Sequence, residues 1–414
     1  MIDLKISFVV SEIPFYVGSH NNLTETIKIS AQENILNCAL WYDSHLEPLV
    51  LKSKVEIGDE ISMVLMNHRI ELYVNGSLAD EEWPNGNRLF KQRDFFDSKL
   101  PIKVESYIAP KKEEPSVSSV FFNAEGWRPE EKVFVGDCMP YVKDDEYHVL
   151  YLKDRRHHYS KWGMGAHQWS HISTKNFKQW SIHPLAVEIT DPDEGSICTG
   201  SWIRHNGLEY LFYTIRRGGE KAAPVCRSVS SDGYHFEKDK NFGFILSEKY
   251  NSAVARDPKI IKGEDGLFHL ILTTSLRVEN KGCLAHFIST DLDNWTDTNE
   301  PLYISKDSTE PECPDYIVHN GKYYLIFSLN GKAGYMYSEN PFNGWIIPEN
   351  PEIPCASVPK GAVWNGRIVF TGFKGIDGYA GTMTFKIATN NEKGELIFKD
   401  NLFNTPDCED ALFC

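Results

Sequence analysis

Five segments of this 414-residue chain carry one text. "EYHVLYL" from Glu146, "LEYLFYT" from Leu208, "LFHLILT" from Leu267, "KYYLIFS" from Lys322 and "GRIVFTG" from Gly366 are short runs of aromatic and branched residues. Each is followed by a second apolar run: "AHQWSHISTKNFKQW", "VCRSVSSDGYHFEK", "LAHFISTDLDNWT", "AGYMYSENPFNGW" and "GTMTF". Such runs bounded by Gly, Asn, Asp and Pro, with little helical periodicity, are an all-β signature. A repeat of roughly 45 to 60 residues is the size of one propeller blade. Five copies predict a five-bladed β-propeller with one four-stranded sheet per blade.

The propeller is expected over residues 116–414. Ala109 to Val120 is rich in Pro, Lys, Glu and Ser and reads as a linker. Residues 1–115 read as an N-terminal β-sandwich of alternating strands. Asn75-Gly76 marks a hairpin, because both central positions of a type I′ turn need positive φ. "IELYVNGSLADEEW" resembles the laminin-G and concanavalin-like sandwiches. For this domain a structural or docking role is expected ahead of sugar binding.

A formal net charge of −15 argues against nucleic acid and against anionic membranes as partners. Nine cysteines, with no CxxC pair, fit free thiols in a reducing compartment. The alternating N-terminus reads as no secretory signal, and no apolar run is long enough to span a bilayer. The expectation is a cytoplasmic protein.

The segment ahead of each repeated strand is where chemistry gathers. In order, these segments hold Asp137, Ser201, Asp257, Glu312 and Lys360 at nearly one phase of the repeat. The innermost strand of each blade lines a propeller's central channel. Asp137, Asp257 and Glu312 would therefore converge on one axis. Crowded carboxyl groups separate in pKa, so that one holds a proton while another is ionised. Glycoside hydrolysis needs that division of labour.

These motifs resemble glycoside hydrolase family 32, the β-fructosidases, from about Phe134 to Phe385. "ARDPKII" carries the family's Arg-Asp-Pro and "ECPDY" its Glu-Cys-Pro. "CTGSW" resembles its Ser-Gly-Ser segment, and "QWSHISTKNFKQW" its Trp-Gly-His-Ala stretch. The resemblance implies a retaining enzyme that releases β-fructofuranosyl units from a small carbohydrate. Asp137 would be the nucleophile and Glu312 the acid/base, with Glu310 its rival. Asp257 would hold the sugar hydroxyls, with Arg256 as its charge partner. No cofactor is implied. Two alternatives stay open: a furanosidase of the same superfamily acting on an arabinofuranoside, and a carbohydrate-binding protein without turnover.

The first motif departs from the family's Trp-x-Asn-Asp-Pro-Asn-Gly. Here "VFVGDCMPY" keeps the aspartate but puts Gly136 where the family has Asn. The family's Phe-Tyr-Gln becomes Leu150-Tyr151-Leu152. A charged insertion, "KDRRHHYSKWG", follows. Its Asp154 reads either as part of a solvated turn or as a contact to the leaving group. Trp162, Trp169 and Trp202 are expected near the funnel mouth, where aromatic faces suit sugar rings, and Ser201 beside them. His157, His158, His167 and His171 match no zinc spacing, so no metal is expected. Cys313 reads as a small buried neighbour of the acid.

Overall fold

The computed structural model describes residues 2–399 apart from 22–23, 44–45, 85, 111–113, 156–166, 193, 195, 218 and 356. Every named element among them is a strand. No helix among the described residues is long and apolar enough to cross a membrane. The chain divides into two compact units. One holds Met1–Glu113 and Ile189–Gly195; the other holds Glu114–Ser160, His167–Glu188 and the chain from Ser196 on.

The first unit is built on two five-stranded antiparallel sheets. One runs Lys103–Ser106, Leu4–Val9, Glu60–Leu65, Ile70–Val74, Ser77–Glu82; the other runs Leu49–Lys54, Ile35–Leu40, Thr24–Gln32, Phe15–Asn21, Phe95–Ser98. Leu4, Ile6 and Phe8 are buried while Lys5, Ser7 and Val9 are not, the period of two that a one-sided sheet demands. Their core partners include Ile29, Cys38, Met63 and Leu72. Asn75 and Gly76 both have positive φ, 50° and 76°, and join two strands of the first sheet.

The second unit is the propeller. Its inner strands are Val133–Lys143, Ser196–His205, Arg256–Lys262, Glu312–His319 and Ser357–Trp364. Each neighbours the next, and the fifth neighbours the first, so the ring closes. From each inner strand the chain meanders outward through antiparallel partners. The first and fifth blades are also bridged at Val135 and Gly381. Ser119–Phe122 adds to the outer edge of the first blade. The fourth blade departs from the four-strand expectation. Among the described residues, outside Lys332–Ser338 it has only the isolated bridges Gly334 to Glu352 and Tyr337 to Ile346. That outer segment contains Pro341, Pro348, Pro351 and Pro354, none of which has an N–H to donate to a ladder.

The repeated Ser-Asp text forms a turn. Ser289 Oγ accepts from the N–H of Asp291 and Leu292, and Asp291 Oδ1 from those of Asp293 and Asn294. Ser230 with Asp232, and Thr174 with Asn176, repeat the pattern. Short polar side chains here replace the hydrogen bonds that a turning backbone cannot make with itself. The repeated aromatics fill the spaces between blades. Tyr147, Phe177, Trp180, Trp364 and Phe385 share one cluster, and Phe212, Tyr250, Phe268 and Phe287 another. Burying such a side chain contributes about 1.5–3 kcal/mol.

Candidate active site

All five inner strands break register at the same height. On each, two residues face a single residue of the next strand: Gly136 and Asp137, Cys198 and Thr199, Asp257 and Pro258, Cys313 and Pro314, Val358 and Pro359. These are β-bulges, which bend a strand and re-aim its side chains. Asp257, Cys313 and Val358 have positive φ of 58°, 51° and 42°. For residues other than glycine such backbone costs of order 1–3 kcal/mol and tends to sit where function needs it.

The bulges bring acids together. Cys313 Sγ lies 3.6 Å from Asp137 Oδ2 and 3.6 Å from Asp257 Oδ2, so one sulfur touches both carboxyl groups. Asp257 also accepts from Thr199 Oγ1 at 2.7 Å and from the Cys313 N–H at 3.1 Å. Asp137 Oδ1 accepts from Tyr379 Oη at 3.1 Å, and the Asp137 N–H donates to the same oxygen at 3.3 Å. Arg256 sits just before the third bulge and Glu312 just before the fourth. Arg256 Nη2 donates to Glu312 Oε1 at 2.9 Å, Nη1 donates to Glu310, and Nε lies 3.7 Å from Asp257 Oδ2. Arg256 is nearly buried, whereas 44% of the Glu312 side chain is exposed, so Glu312 can exchange protons with solvent.

Charge in this setting is uneven. Burial, then the facing Asp257, push the Asp137 carboxyl up to about 6; His167, the Tyr379 hydroxyl and the Cys313 thiol pull the other way. Asp137 is partly accessible to solvent although protein surrounds it. Burial opposes the charge on Arg256, but Asp257, Glu310 and Glu312 outweigh it and raise its pKa. Burial first, then Asp257 and Asp137, raise the Cys313 thiol well above its ordinary range. It stays protonated, a weak donor between two carboxyl groups.

Several expected contacts lie elsewhere. Ser201 is past the bulge: its Oγ donates to the Pro258 carbonyl and accepts from the Ile260 N–H, joining two inner strands. Thr199 is the second blade's contribution in its place. Lys360 is also past the bulge, buried, with Nζ on the Gly200 carbonyl at 3.2 Å. Trp169 is fully buried, its indole N–H on the Cys198 carbonyl, so it is core and presents no open face. Trp202 lies further along its strand, stacked on Tyr141, and lines a cavity of ≈ 450 Å³ with Lys259, Tyr316 and Phe342. Asp154 is buried, beside His167 Nε2 at 3.3 Å, and is not part of a solvated turn. Trp162, Arg156, His157 and His158 lie outside the described residues. Tyr379 has no counterpart among the residues expected from the sequence.

Three buried histidines, His148, His171 and His183, bring ligand-type atoms within 4.8 Å of one another. Burial lowers the pKa of each, to about 3 for His148. His148 Nδ1 and His171 Nε2 are 2.9 Å apart, and His269 Nδ1 and His286 Nε2 repeat that pairing at 2.9 Å in the third blade. The recurrence marks a packing device of the blade. Lys143 adds positive charge beside the first cluster, which disfavours a cation there.

Five inner strands that close a ring and gather acids at their bulges define a five-bladed propeller protein with an acidic centre. The model of the glycosyl hydrolases family 32 N-terminal domain matches residues 137–351, just over half of the chain. The chain belongs to glycosyl hydrolase family 32. It is 28% identical over 218 residues to the sucrose-6-phosphate hydrolase of Escherichia coli, a match covering 50% of this chain and 43% of that protein. The chain spans less than half the length of the curated relatives it matches. Among solved structures, fructan 1-exohydrolase IIa from Cichorium intybus aligns with a TM-score of 0.54 at 16% identity, covering 70% of this chain and 61% of that one. Sucrose-6-phosphate hydrolase from Lactobacillus gasseri aligns at 0.53 with 17% identity, covering 64% and 62%. These structural likenesses concern the fold.

Proposed function

We propose that this protein is a retaining glycoside hydrolase that releases β-fructofuranosyl units from a small fructoside. The observation that carries the reading is the single constellation of Asp137, Asp257 and Glu312, tied together through Cys313 and Arg256. In the first step a carboxylate oxygen of Asp137 attacks the anomeric carbon. The bond to the leaving oxygen breaks as Glu312 gives that oxygen its proton. In the second step water gives a proton to Glu312 and attacks the anomeric carbon, and the bond from that carbon to Asp137 breaks, restoring the carboxylate. Asp257 grips the ring hydroxyls, most tightly as the ring gains positive charge. The relatives bearing the name sucrose-6-phosphate hydrolase add a phosphorylated sucrose to the substrates worth testing.

The test offers sucrose, sucrose-6-phosphate, short fructans and an aryl arabinofuranoside, with chromatography of products and NMR of the first-formed anomer. Free fructose, or the sugar phosphate with fructose, released with retained configuration is the expected result. Arabinose release alone would move the substrate class, an inverted anomer would make Asp137 a base, and binding without product would leave a lectin-like protein.

A further inference from the structure

We propose that Tyr379 is a positioning residue for the nucleophile, installed in the space that Gly136 leaves open. The inference rests on the reading of Asp137 as nucleophile. Tyr379 belongs to the fifth blade, in the connection between Arg367–Gly375 and Gly381–Asn390. Asp377, Gly378 and Ala380 around it all have positive φ, a tight turn that projects the ring inward. His167 and Phe373 flank that ring, with centroids 5.4 and 5.2 Å away.

Its hydroxyl holds Asp137 at two points: it donates to Oδ1 and accepts from the Asp137 N–H. That fixes the carboxyl group relative to its own backbone. Oδ1 is thereby held by the phenol, whereas Oδ2 has the weaker Cys313 thiol as its donor at 3.6 Å, which assigns Oδ2 as the attacking atom. Gly136 makes the arrangement possible. A Cβ at this position would lie 2.6 Å from Tyr379 Oη and 3.1 Å from the Leu152 carbonyl. Any side chain there, including the Asn of the family motif, would displace the hydroxyl from Asp137. Gly136 and Tyr379 thus act as one exchange: a side chain removed beside the nucleophile and a phenol brought in from another blade.

Burial, then Asp137, raise the Tyr379 phenol well above its ordinary range, so it remains a donor wherever the enzyme works. The charged or titratable groups facing Asp137 are Asp257, Cys313, Cys138, His167 and Tyr379. Of these, Tyr379 alone bonds both its carboxyl oxygen and its amide.

The experiment compares Tyr379→Phe, Gly136→Ala and the double variant with the parent, using the best substrate found. Asp137→Asn is run alongside; residual turnover in it would overturn the nucleophile reading itself. Tyr379→Phe should lower kcat about tenfold or more with little change in KM, because the lost contact serves the reacting carboxylate. It should also move the acid limb of kcat/KM upward by about half to one pH unit, since a donor to the charged form has gone. Gly136→Ala, which keeps the phenol but displaces it, should reproduce both changes. The double variant should be no worse than either single one. An unmoved acid limb in Tyr379→Phe, or additive losses in the double variant, would overturn the proposal while leaving Asp137 as nucleophile.

Discussion

Arg256 and Glu312 meet across the boundary between the third and fourth blades, Nη2 to Oε1 at 2.9 Å, each standing one residue ahead of its strand's bulge. The same guanidinium reaches Glu310 and approaches Asp257. A planar fork can serve several carboxyl groups from one buried position, which a lysine cannot. Arg256→Lys is therefore expected to fold yet lose about 10- to 100-fold in kcat/KM, as for a charged hydrogen bond of about 1.5–3 kcal/mol. Steady-state kinetics beside a melting curve checks this; a loss confined to Tm would make Arg256 purely structural.

The pH profile should be set on its acid side by Asp137. A nucleophile must be ionised, and its carboxyl is pushed up to about 6. Turnover is expected to fall about tenfold per unit below that pH, read as the acid limb of kcat/KM.

A stability consequence follows with the opposite sign. The ionised form of Asp137 is disfavoured in the folded protein relative to the unfolded chain, where a carboxyl titrates near 3.9. Its contribution to stability is complete below about 4 and is lost as pH rises through 6. Asp137→Asn, which stays neutral, should abolish turnover and raise the Tm at pH 7, by up to about 3 kcal/mol in stability. The gain should shrink towards pH 4. A Tm that falls equally at both pH values would count against the buried-charge account.

Asp257 is oriented from the second blade by Thr199. Thr199→Val removes a hydroxyl 2.7 Å from Oδ1 and should lower kcat about tenfold, with Thr199→Ser restoring it. Asp257→Asn should lower kcat more than it alters KM. A raised KM with unchanged kcat would show that Asp257 binds substrate and transition state alike.

Glu312→Gln should spare substrates with good leaving groups, which need little protonation. Added azide should then yield a fructosyl azide of retained configuration. Loss of activity on activated and unactivated substrates alike would move the acid role elsewhere, with Glu310 as the first place to look.

The architecture was legible because propeller blades repeat and each repeat needs the same aromatic strand and Ser-Asp turn. That Asp137, Asp257 and Glu312 come together was legible for the same reason. Thr199 was not, because a bulge inserts one unpaired residue and offsets the phase; counting along the repeat reached Ser201 beyond it. Trp169 and Trp202 looked alike as aromatic residues, but one packs inside a blade and the other faces a cavity further along its strand. Tyr379 stands 242 residues from Asp137, too far for any local pattern. The one sequence sign of it was Gly136, a vacancy in a motif whose filling could be seen only in three dimensions.

The five bulges make the axis a set of interchangeable sockets. A bulged residue is already outside the ladder of strand hydrogen bonds, so replacing it takes nothing from the sheet. Asp137, Thr199, Asp257 and Cys313 occupy four of these places, and Val358 marks the fifth with an apolar side chain packed against the cluster shared by the first and fifth blades. The fifth bulge thus fastens the closing blade to the first, while the other four are left to carry polar groups.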